Sequence, residues 1–241
     1  MLSSLPENHN LPLDDQRIAF LAMVADGVGG GVGGREASAT AISVATEYVT
    51  SSTDCFLQDD SAGEHFIESL QAAALRCHAA VRERAQGAAQ GRTMATTLTL
   101  WMGVWPWYYL LQVGDSRYYL YREDVLTQVS RDQTMAQELV DQGVFTRAVA
   151  ARSRFNNILS SAIGADEAVP VVTRMKADWG NVHLLCTDGL TKHVSDERIT
   201  ECLRTMTSAK QVCEQLLQEV LDDGASDNVS IIVGRVVERP T

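Results

Sequence analysis

Four short runs of β-branched and aromatic residues lie close together in the middle of the chain, and their spacing restricts the fold more than any other feature. The runs cover residues 96–104, 107–113, 118–122 and 125–129. Two parallel strands need a crossover of about a dozen or more residues between them, whereas two antiparallel strands need only a tight turn. Every connection here is much shorter than a crossover. The centre of the chain therefore predicts antiparallel pairing.

Helical patterns and further strands surround this β-rich centre. Apolar residues at helical spacing, or capping-type residues at the start of a segment, predict helices over 35–50, 64–86, 134–142, 196–206 and 208–222. Apolar runs of strand length cover 18–25, 171–175, 181–186 and 229–237. The segment 148–169 shows neither pattern and is expected to be rich in loops. No linker divides these elements, so one domain of mixed, largely antiparallel α and β over residues 1–241 is expected.

The charge balance of the chain limits its partners. The 31 acidic residues outnumber the 20 Lys and Arg, and the formal net charge is −11. Repulsion of this sign removes the long-range attraction that supports binding to nucleic-acid phosphates or anionic lipid. We therefore expect neither nucleic acid nor a membrane as a partner. An acidic surface can simply favour solubility, and it can also hold cations.

The cysteines and the hydrophobic segments indicate a soluble protein of a reducing cytoplasm. The five cysteines are widely spaced and form no C-x-x-C pair, so neither a disulfide framework nor a zinc knuckle is expected. Residues 1–10 contain no basic segment followed by an apolar stretch, the pattern of a signal peptide. The longest apolar stretch, 98–113, is interrupted and shorter than the roughly 20 residues of a spanning helix.

Four aspartates share one placement, since each lies at the edge of an apolar strand. They are Asp26, Asp115, Asp188 and Asp227. Carboxylates brought together at the rim of a sheet repel one another unless a cation joins them, and oxygen ligands of this kind suit Mg²⁺ or Mn²⁺. A pair of such ions can bind a phosphoryl group and generate the attacking hydroxide. Each aspartate alone is also typical of a turn cap, so the four positions by themselves leave both interpretations open.

The glycine-rich loop after the first strand has a second interpretation. Gly29, Gly31 and Gly34 match G-x-G-x-x-G, the arrangement that holds a dinucleotide pyrophosphate. A dinucleotide fold also needs a second parallel strand that ends in an acidic residue, and 51–60 contains no apolar strand. Asp26 would in addition repel a phosphate. The sequence therefore disfavours dinucleotide binding.

Six short motifs follow one another along the chain: VADGVGG at 24–30, GGREAS at 33–38, TTL at 96–98, VGDSR at 113–117, CTDGL at 186–190 and SDNV at 226–229. In this order they resemble the PP2C (PPM) family of metal-dependent protein Ser/Thr phosphatases, most closely its bacterial single-domain members. The resemblance spans about residues 5–237. It implies an α+β fold, a four-layer αββα sandwich of two antiparallel β-sheets flanked by helices.

The resemblance also implies a reaction and the residues that perform it. The reaction is hydrolysis of phosphoserine or phosphothreonine in proteins by metal-activated water. Asp26 would bridge two Mn²⁺ or Mg²⁺ ions, and the carbonyl of Gly27 would bind one of them. Asp188 and Asp227 would complete the first site, and Asp115 together with Asp188 would hold a third ion.

The family resemblance further implies a substrate-facing segment and a set of partners. Residues 134–169 correspond to the flap beside the active site, where substrate preference is thought to be set. The implied partners are phosphorylated proteins and a cognate Ser/Thr kinase with its substrates. The chain is expected to act as a monomer.

Several positions depart from the family pattern. Leu5 stands where the family has a phosphate-binding arginine, Asn10 replaces an acidic residue, and Gly31 replaces a histidine proposed as general acid. Gln133 stands in place of a common histidine, although Asp132 before it is kept. The alternative function is therefore a pseudophosphatase that binds a phosphoprotein or kinase partner without efficient turnover. The arginines that are candidates to replace the phosphate-binding one are Arg17, Arg35 and Arg92.

Overall fold

Two four-stranded antiparallel sheets form the centre of the molecule. The computed structural model describes residues 19–29, 31–51, 62–87 and 94–237. One sheet has the order β1-β4-β5-β8, with β1 at Ala19–Val24, β4 at Leu98–Val104, β5 at Trp107–Val113 and β8 at Val171–Lys176. The other has the order β10-β9-β6-β7, with β6 at Arg117–Arg122, β7 at Val125–Gln128, β9 at Val182–Cys186 and β10 at Ile231–Arg235. The predicted antiparallel pairing is confirmed.

Helices cover the outer face of each sheet. On the first sheet lie α1 (Gly31–Ser51) and α2 (Ala62–Gly87), and on the second lie α6 (Asp196–Arg204) and α7 (Ala209–Asp222). Three shorter helices are α3 (Met135–Asp141), α4 (Arg147–Ala151) and α5 (Asp188–Thr191), and a 3₁₀ helix spans Arg154–Asn157. A small ribbon pairs β2 (Gly27–Val28) with β3 (Ala95–Thr96). None of the helices in the described residues is long and apolar enough to cross a membrane.

Alternating side chains along the strands build three separate cores. In β4, Leu100 and Met102 pack against α1 and α2, whereas Trp101, which lies between them in the strand, packs toward the second sheet. In β9, Leu184 packs against α6 and α7, and its neighbour Leu185 packs toward the first sheet. This period of two is what a strand covered on both faces requires. The four layers of the expected αββα sandwich follow directly.

The core between the sheets contains a buried polar contact. The hydroxyl of Tyr118 lies 2.7 Å from Nδ1 of His183, and the ring of Trp101 lies 4.8 Å from the same imidazole. Burial lowers the pKa of His183 to about 4. The imidazole is therefore neutral at physiological pH, as its apolar surroundings require.

The structure agrees with most predicted elements and adds several short ones. Helix α1 begins at Gly31, four residues before the predicted start, inside the glycine-rich loop. The segment expected to be rich in loops contains α4 and the 3₁₀ helix, whose N-caps are Thr146 and Ser153. Helix α5 and the β2–β3 ribbon were not predicted. Cys77, Cys186, Cys202 and Cys213 are free thiols, and Cys55 lies outside the described residues.

Candidate active site

The four strand-end aspartates line one cleft at one end of the sandwich. Asp26 follows β1, Asp115 lies in the turn between β5 and β6, Asp188 begins α5 directly after β9, and Asp227 lies before β10. The cleft has a volume of about 540 Å³, and Gly27 also lines it. Both sheets thus contribute carboxylates to the same space. The structure brings together all five residues that the sequence analysis selected.

The backbone around Asp26 is fixed by two threonines. The Asp26 amide donates to Thr97 Oγ1 at 2.9 Å, and the Asp26 carbonyl accepts from the Thr97 amide and from Thr96 Oγ1, each at 2.8 Å. Thr97 Oγ1 is also 2.7 Å from Ser116 Oγ, beside Asp115. The motif at 96–98 therefore ties the turn of Asp26 to the turn of Asp115.

Glycines permit the close approach of the loops that carry the aspartates. A Cβ atom on Gly27 would collide with the backbone of Gly34 at the start of α1. A Cβ atom on Gly189 would likewise collide with the carbonyl of Asn228, which follows Asp227. Only glycine fits at these two contacts, since the partner atoms belong to the backbone.

Burial and mutual repulsion raise the pKa of two of the carboxyl groups. The pKa of Asp26 rises to about 7, first because burial penalises the charged form and then because neighbouring carboxylates, above all Asp188, repel it. The pKa of Asp115 also rises to about 7, again through burial first and then through the charges of Asp188 and Asp132. A cation bound next to these carboxylates would offset both the cost of burying their charge and their mutual repulsion.

Lys192 lies among these carboxylates and was not selected by the sequence analysis. Its Nζ atom is 2.7 Å from Asp188 Oδ2 and 3.1 Å from Asp227 Oδ2. Burial would lower the pKa of Lys192, but the two carboxylates outweigh burial and raise it. Burial would also raise the pKa of Asp227, but hydrogen bonds from Lys192 and from the Asn228 amide outweigh burial and lower it. A lysine four residues after Asp188 has the spacing of an ordinary ion pair on a helix, so the sequence carried no distinct signal.

The donor set fits a hard divalent cation. Asp188 Oδ1 is buried and has no hydrogen-bond partner among the described residues, and Asp26 lies close enough to Asp188 for their carboxyl groups to interact. An unpartnered buried carboxylate oxygen beside a second carboxylate is a costly arrangement that a cation satisfies. Within the described part of the chain, no three Asp, Glu, His or Cys side chains already converge on one point in metal-ligand geometry.

A helix N-terminus and an arginine provide a positive edge to the cleft. Gly31, Arg35 and Ser38 of α1 all line it. Gly31 has a φ of +80°, a conformation that favours glycine, and a Cβ atom there would meet no other atom. The backbone amides at the start of a helix attract anions. Arg35 is exposed and forms no ion pair with any described residue.

Gln133 connects the turn of Asp115 to the segment 134–169. Its Oε1 accepts the amide of Gly114 at 2.7 Å, and its Nε2 donates to the carbonyl of Val169 at 2.8 Å. Asn157 and Leu159 from the same segment line the cleft. The position that departs from the family pattern is thus occupied by a buried side chain that holds two loops together.

Asp132, the residue kept before Gln133, forms a partly buried ion pair. Its carboxylate accepts from Arg117 at 2.7, 3.0 and 3.1 Å and from Gln128 at 2.8 Å. This pair links β6 to the loop before α3. The remaining positions of interest, Leu5, Asn10, Arg17 and Arg92, lie outside the described residues.

His193 forms a bridge that the sequence analysis did not anticipate. Its Nδ1 is 2.8 Å from Asp223 Oδ2, and its Nε2 is 2.8 Å from Ser226 Oγ. The Ser226 amide also donates to Nε2, at 3.2 Å. The bridge fastens the loop that carries Asp227 to the end of the helix that carries Asp188.

Comparisons with known proteins identify the same family over most of the chain. The family model described as Protein phosphatase 2C matches residues 11–227. The serine/threonine protein phosphatase PstP of Mycobacterium tuberculosis is 33% identical over 220 residues, which are 91% of this chain and 41% of that relative. The chain therefore spans less than half the length of PstP. The serine/threonine phosphatase stp of Listeria innocua is 26% identical over 215 residues, 88% of this chain and 83% of that protein.

Solved structures agree with the sequence comparisons. The catalytic domain of PstP in complex with two manganese ions superimposes with a TM-score of 0.76 at 30% sequence identity, covering 95% of this chain and 94% of that one. The PstP/Ppp structure from Mycobacterium tuberculosis gives a TM-score of 0.79 at 29% identity, with the same coverage. Because the family model matches residues 11–227, a range that contains all four strand-end aspartates, the chain belongs to the protein phosphatase 2C family.

Proposed function

We propose that this chain is a Mn²⁺- or Mg²⁺-dependent phosphatase that removes phosphate from phosphoserine and phosphothreonine in proteins. The observation that carries the proposal is the convergence of Asp26, Asp115, Asp188 and Asp227 from both sheets on one cleft. Burial and repulsion strain this cluster, so divalent cations are its natural partners. The relatives named as serine/threonine phosphatases support the substrate class.

The proposed ligands follow from the donors that face the cleft. Asp26, the carbonyl of Gly27, Asp188 and Asp227 would hold two divalent ions, and Asp115 with Asp188 marks the place expected for a third. Bound ions would supply an activated water and neutralise charge on the phosphoryl group. The protein's own contribution is to fix the carboxylates through Thr96, Thr97 and the close glycine contacts, so that little reorganisation accompanies binding.

We further propose that Arg35 and the first amides of α1 bind the phosphate group. Arg35 lines the cleft, is exposed and has no carboxylate partner among the described residues, so its guanidinium is available to a ligand. A guanidinium binds phosphate in two-point geometry. Arg35 would in this way compensate for Leu5 at the expected arginine position.

The flap and the partners are further parts of the proposal. Residues 134–169 would contact the polypeptide around the phosphorylated residue, supported by Asn157 and Leu159 in the cleft wall. We infer a Ser/Thr kinase with its substrates as the opposing partner, a monomeric chain, a cytoplasmic location, and no membrane or nucleic-acid partner. The net charge of −11 supports the exclusion of membrane and nucleic-acid partners.

The test is phosphate release from p-nitrophenyl phosphate and from a phosphothreonine peptide. We expect turnover in Mn²⁺ that EDTA abolishes and that Asp188→Asn lowers by at least about a hundredfold, because this substitution removes a charged ligand. Asp222→Asn, an exposed aspartate at the end of α7, is the matched control and should leave turnover unchanged. If Mn²⁺ binds by calorimetry but no turnover is found in Mn²⁺, this result contradicts the proposed phosphatase activity and favours a pseudophosphatase.

A further inference from the structure

Lys192 lies within the acidic cluster and is held there by the fold. It is the C-cap residue of α5, so the helix that begins with Asp188 also fixes the lysine backbone. Its ammonium is 2.7 Å from Asp188 Oδ2 and 3.1 Å from Asp227 Oδ2, and its charge also acts on Asp115. The Lys192 side chain is 35% exposed, so solvent screens these contacts only in part.

An ammonium and a divalent ion compete for the same carboxylate oxygens. The Lys192 contacts use Asp188 Oδ2 and Asp227 Oδ2, and Asp227 Oδ1 accepts the Asn228 amide at 2.8 Å. A divalent ion on either Oδ2 atom would lie next to the ammonium, and like charges a few ångströms apart in a partly buried site repel strongly.

The other part of the cluster lacks such a counter-ion. Asp26 forms no ion pair with any basic side chain that the structure describes, and Asp188 Oδ1 is buried without a partner there. The cluster is therefore divided into an Asp188–Asp227 edge that Lys192 already neutralises and an Asp26 side that only added cations would neutralise.

The total charge of the cluster also limits the number of divalent ions that it can bind. Four carboxylates and one ammonium carry a net charge of −3, and two divalent ions already exceed it. A third divalent ion would bring the centre to +3 and would lie beside the ammonium. The electrostatic cost of a third ion is thus much higher in this chain than in a cluster without the lysine.

We propose that the ammonium of Lys192 takes the place of one divalent ion at the Asp188–Asp227 edge, so that this centre binds two ions where its four carboxylates would otherwise bind three. The inference rests on the proposed function only in requiring that the acidic cluster binds divalent ions. Lys192 thus acts as a fixed positive charge and as a positioning residue that holds the carboxylates of Asp188 and Asp227.

The number of bound Mn²⁺ ions tests this proposal. Isothermal titration calorimetry of the full chain should give two Mn²⁺ per wild-type chain and three for Lys192→Asp, which exchanges the ammonium for a further carboxylate. Lys192→Met should bind its weakest Mn²⁺ on the order of tenfold more tightly than the wild type, because the repulsion is gone. The control is Lys210→Met, since Lys210 is 82% exposed and pairs with Glu214 on α7, outside the cleft lining.

Thermal melting in EDTA provides a readout that does not depend on turnover. Lys192→Met should melt below the wild type in EDTA, where its carboxylates repel without a counter-ion, and should gain more than the wild type from saturating Mn²⁺. If Lys192→Met does not fold, Lys192→Gln replaces it, because the amide still donates a hydrogen bond to Asp188 without adding a charge.

The outcomes separate this inference from the proposed function. Three Mn²⁺ on the wild-type chain, or isotherms of the Lys192 variants that agree with the wild type within about twofold, overturn the role of Lys192 and leave the phosphatase proposal intact. A wild-type chain that binds no Mn²⁺ overturns both.

Discussion

At the scale of single residues, the cleft holds two carboxyl groups whose protonation depends on the cations around them. The pKa of Asp26 and that of Asp115 each rise from 3.8 to about 7, through burial first and through neighbouring carboxylates second. Protons and divalent ions therefore compete for the same oxygens near neutral pH. Mn²⁺ affinity should increase as the pH rises through this range.

The pH dependence of stability in EDTA follows from the same pKa values. Because the pKa of each group is 3.8 in the unfolded chain and about 7 in the folded chain, the folded chain binds more protons between these two values, and stability is lost over this interval as the pH rises. We predict that the melting temperature in EDTA falls between about pH 4 and pH 7 and levels off above, and that saturating Mn²⁺ reverses the fall.

The variant Asp115→Asn provides the control for this pH effect. It cannot titrate at Asp115, so its melting temperature should depend less steeply on pH over the same range. A wild-type melting temperature in EDTA that rises with pH, or a slope equal to that of Asp115→Asn, contradicts the assignment of these pKa shifts.

Arg35 allows a prediction about substrate binding. Its position near the positive end of α1 is unfavourable for the helix itself, and its side chain lines the cleft. Arg35→Gln should raise KM for a phosphothreonine peptide by about tenfold, with a smaller effect on kcat, because a charged hydrogen bond to phosphate contributes about 1.5–3 kcal/mol. Steady-state kinetics measure this change. Arg204→Gln, a pair partner of Asp124 on α6, should match the wild type, and an equal KM for Arg35→Gln contradicts phosphate binding by Arg35.

The sequence was sufficient to select the aspartates but not their counter-ion. Asp26, Asp188 and Asp227 adjoin apolar strands, and the order of motifs made their meeting predictable. Lys192 has no comparable signal, because its role depends on Asp227, which is 35 positions away along the chain. Contacts between distant segments of this kind appear only in three dimensions.

At the scale of secondary-structure elements, buried side chains in the loops hold the aspartate turns in place. Gln133 joins the turn before Asp115 to Val169 at the end of the flap segment, and its side chain has little exposure to solvent. Arg117 and Asp132 fix the same loop against β6. The position of Asp115 therefore depends on the segment 134–169.

Removing the Gln133 contacts should loosen both segments at once. Gln133→Ala leaves the Gly114 amide and the Val169 carbonyl without their partners, at a cost of about 2–3 kcal/mol. Urea unfolding measures this loss. Limited proteolysis should also cut within 134–169 faster in the variant. Gln128→Ala, which removes a bond to Asp132 instead, is a control that should not expose the flap; equal cleavage rates for Gln133→Ala and the wild type contradict the proposed connection.

The longer elements were predictable and the shorter ones were not. Strands β4, β5 and β9 are mostly apolar on both faces, with one polar residue each (Thr99, Gln112 and His183), and α2 has apolar residues at helical spacing. Helix α4 and the 3₁₀ helix have five and four residues, too few for a period to emerge. The early start of α1 depends on Gly27 packing against Gly34, a contact that no local pattern indicates.

At the scale of the whole molecule, the sandwich sets the geometry of the site because its two sheets carry different aspartates. Asp26 follows a strand of the first sheet, whereas Asp188 and Asp227 adjoin strands of the second. The distance between the sheets is maintained by side chains such as Leu110, which is buried between them. Packing between the sheets should therefore affect metal binding, and packing on the outer helices should not.

Two leucines provide a matched test of this dependence. Leu110→Ala between the sheets and Leu216→Ala on α7 each remove a buried leucine, and each should cost about 3 kcal/mol of unfolding free energy. Only Leu110→Ala should weaken Mn²⁺ binding, which calorimetry measures alongside urea unfolding. An equal loss of Mn²⁺ affinity in Leu216→Ala contradicts the specific role of the sheet interface.

If the strand-end aspartates form a metal centre, anomalous diffraction at the manganese absorption edge should locate the bound ions. Crystals of the wild-type chain grown with Mn²⁺ should show two anomalous peaks in the cleft, within coordination distance of Asp26 and Asp188, with the Gly27 carbonyl contacting one of them. The absence of anomalous peaks in the cleft at saturating Mn²⁺, or peaks only at other acidic residues of the surface, would show that these aspartates do not form a metal centre.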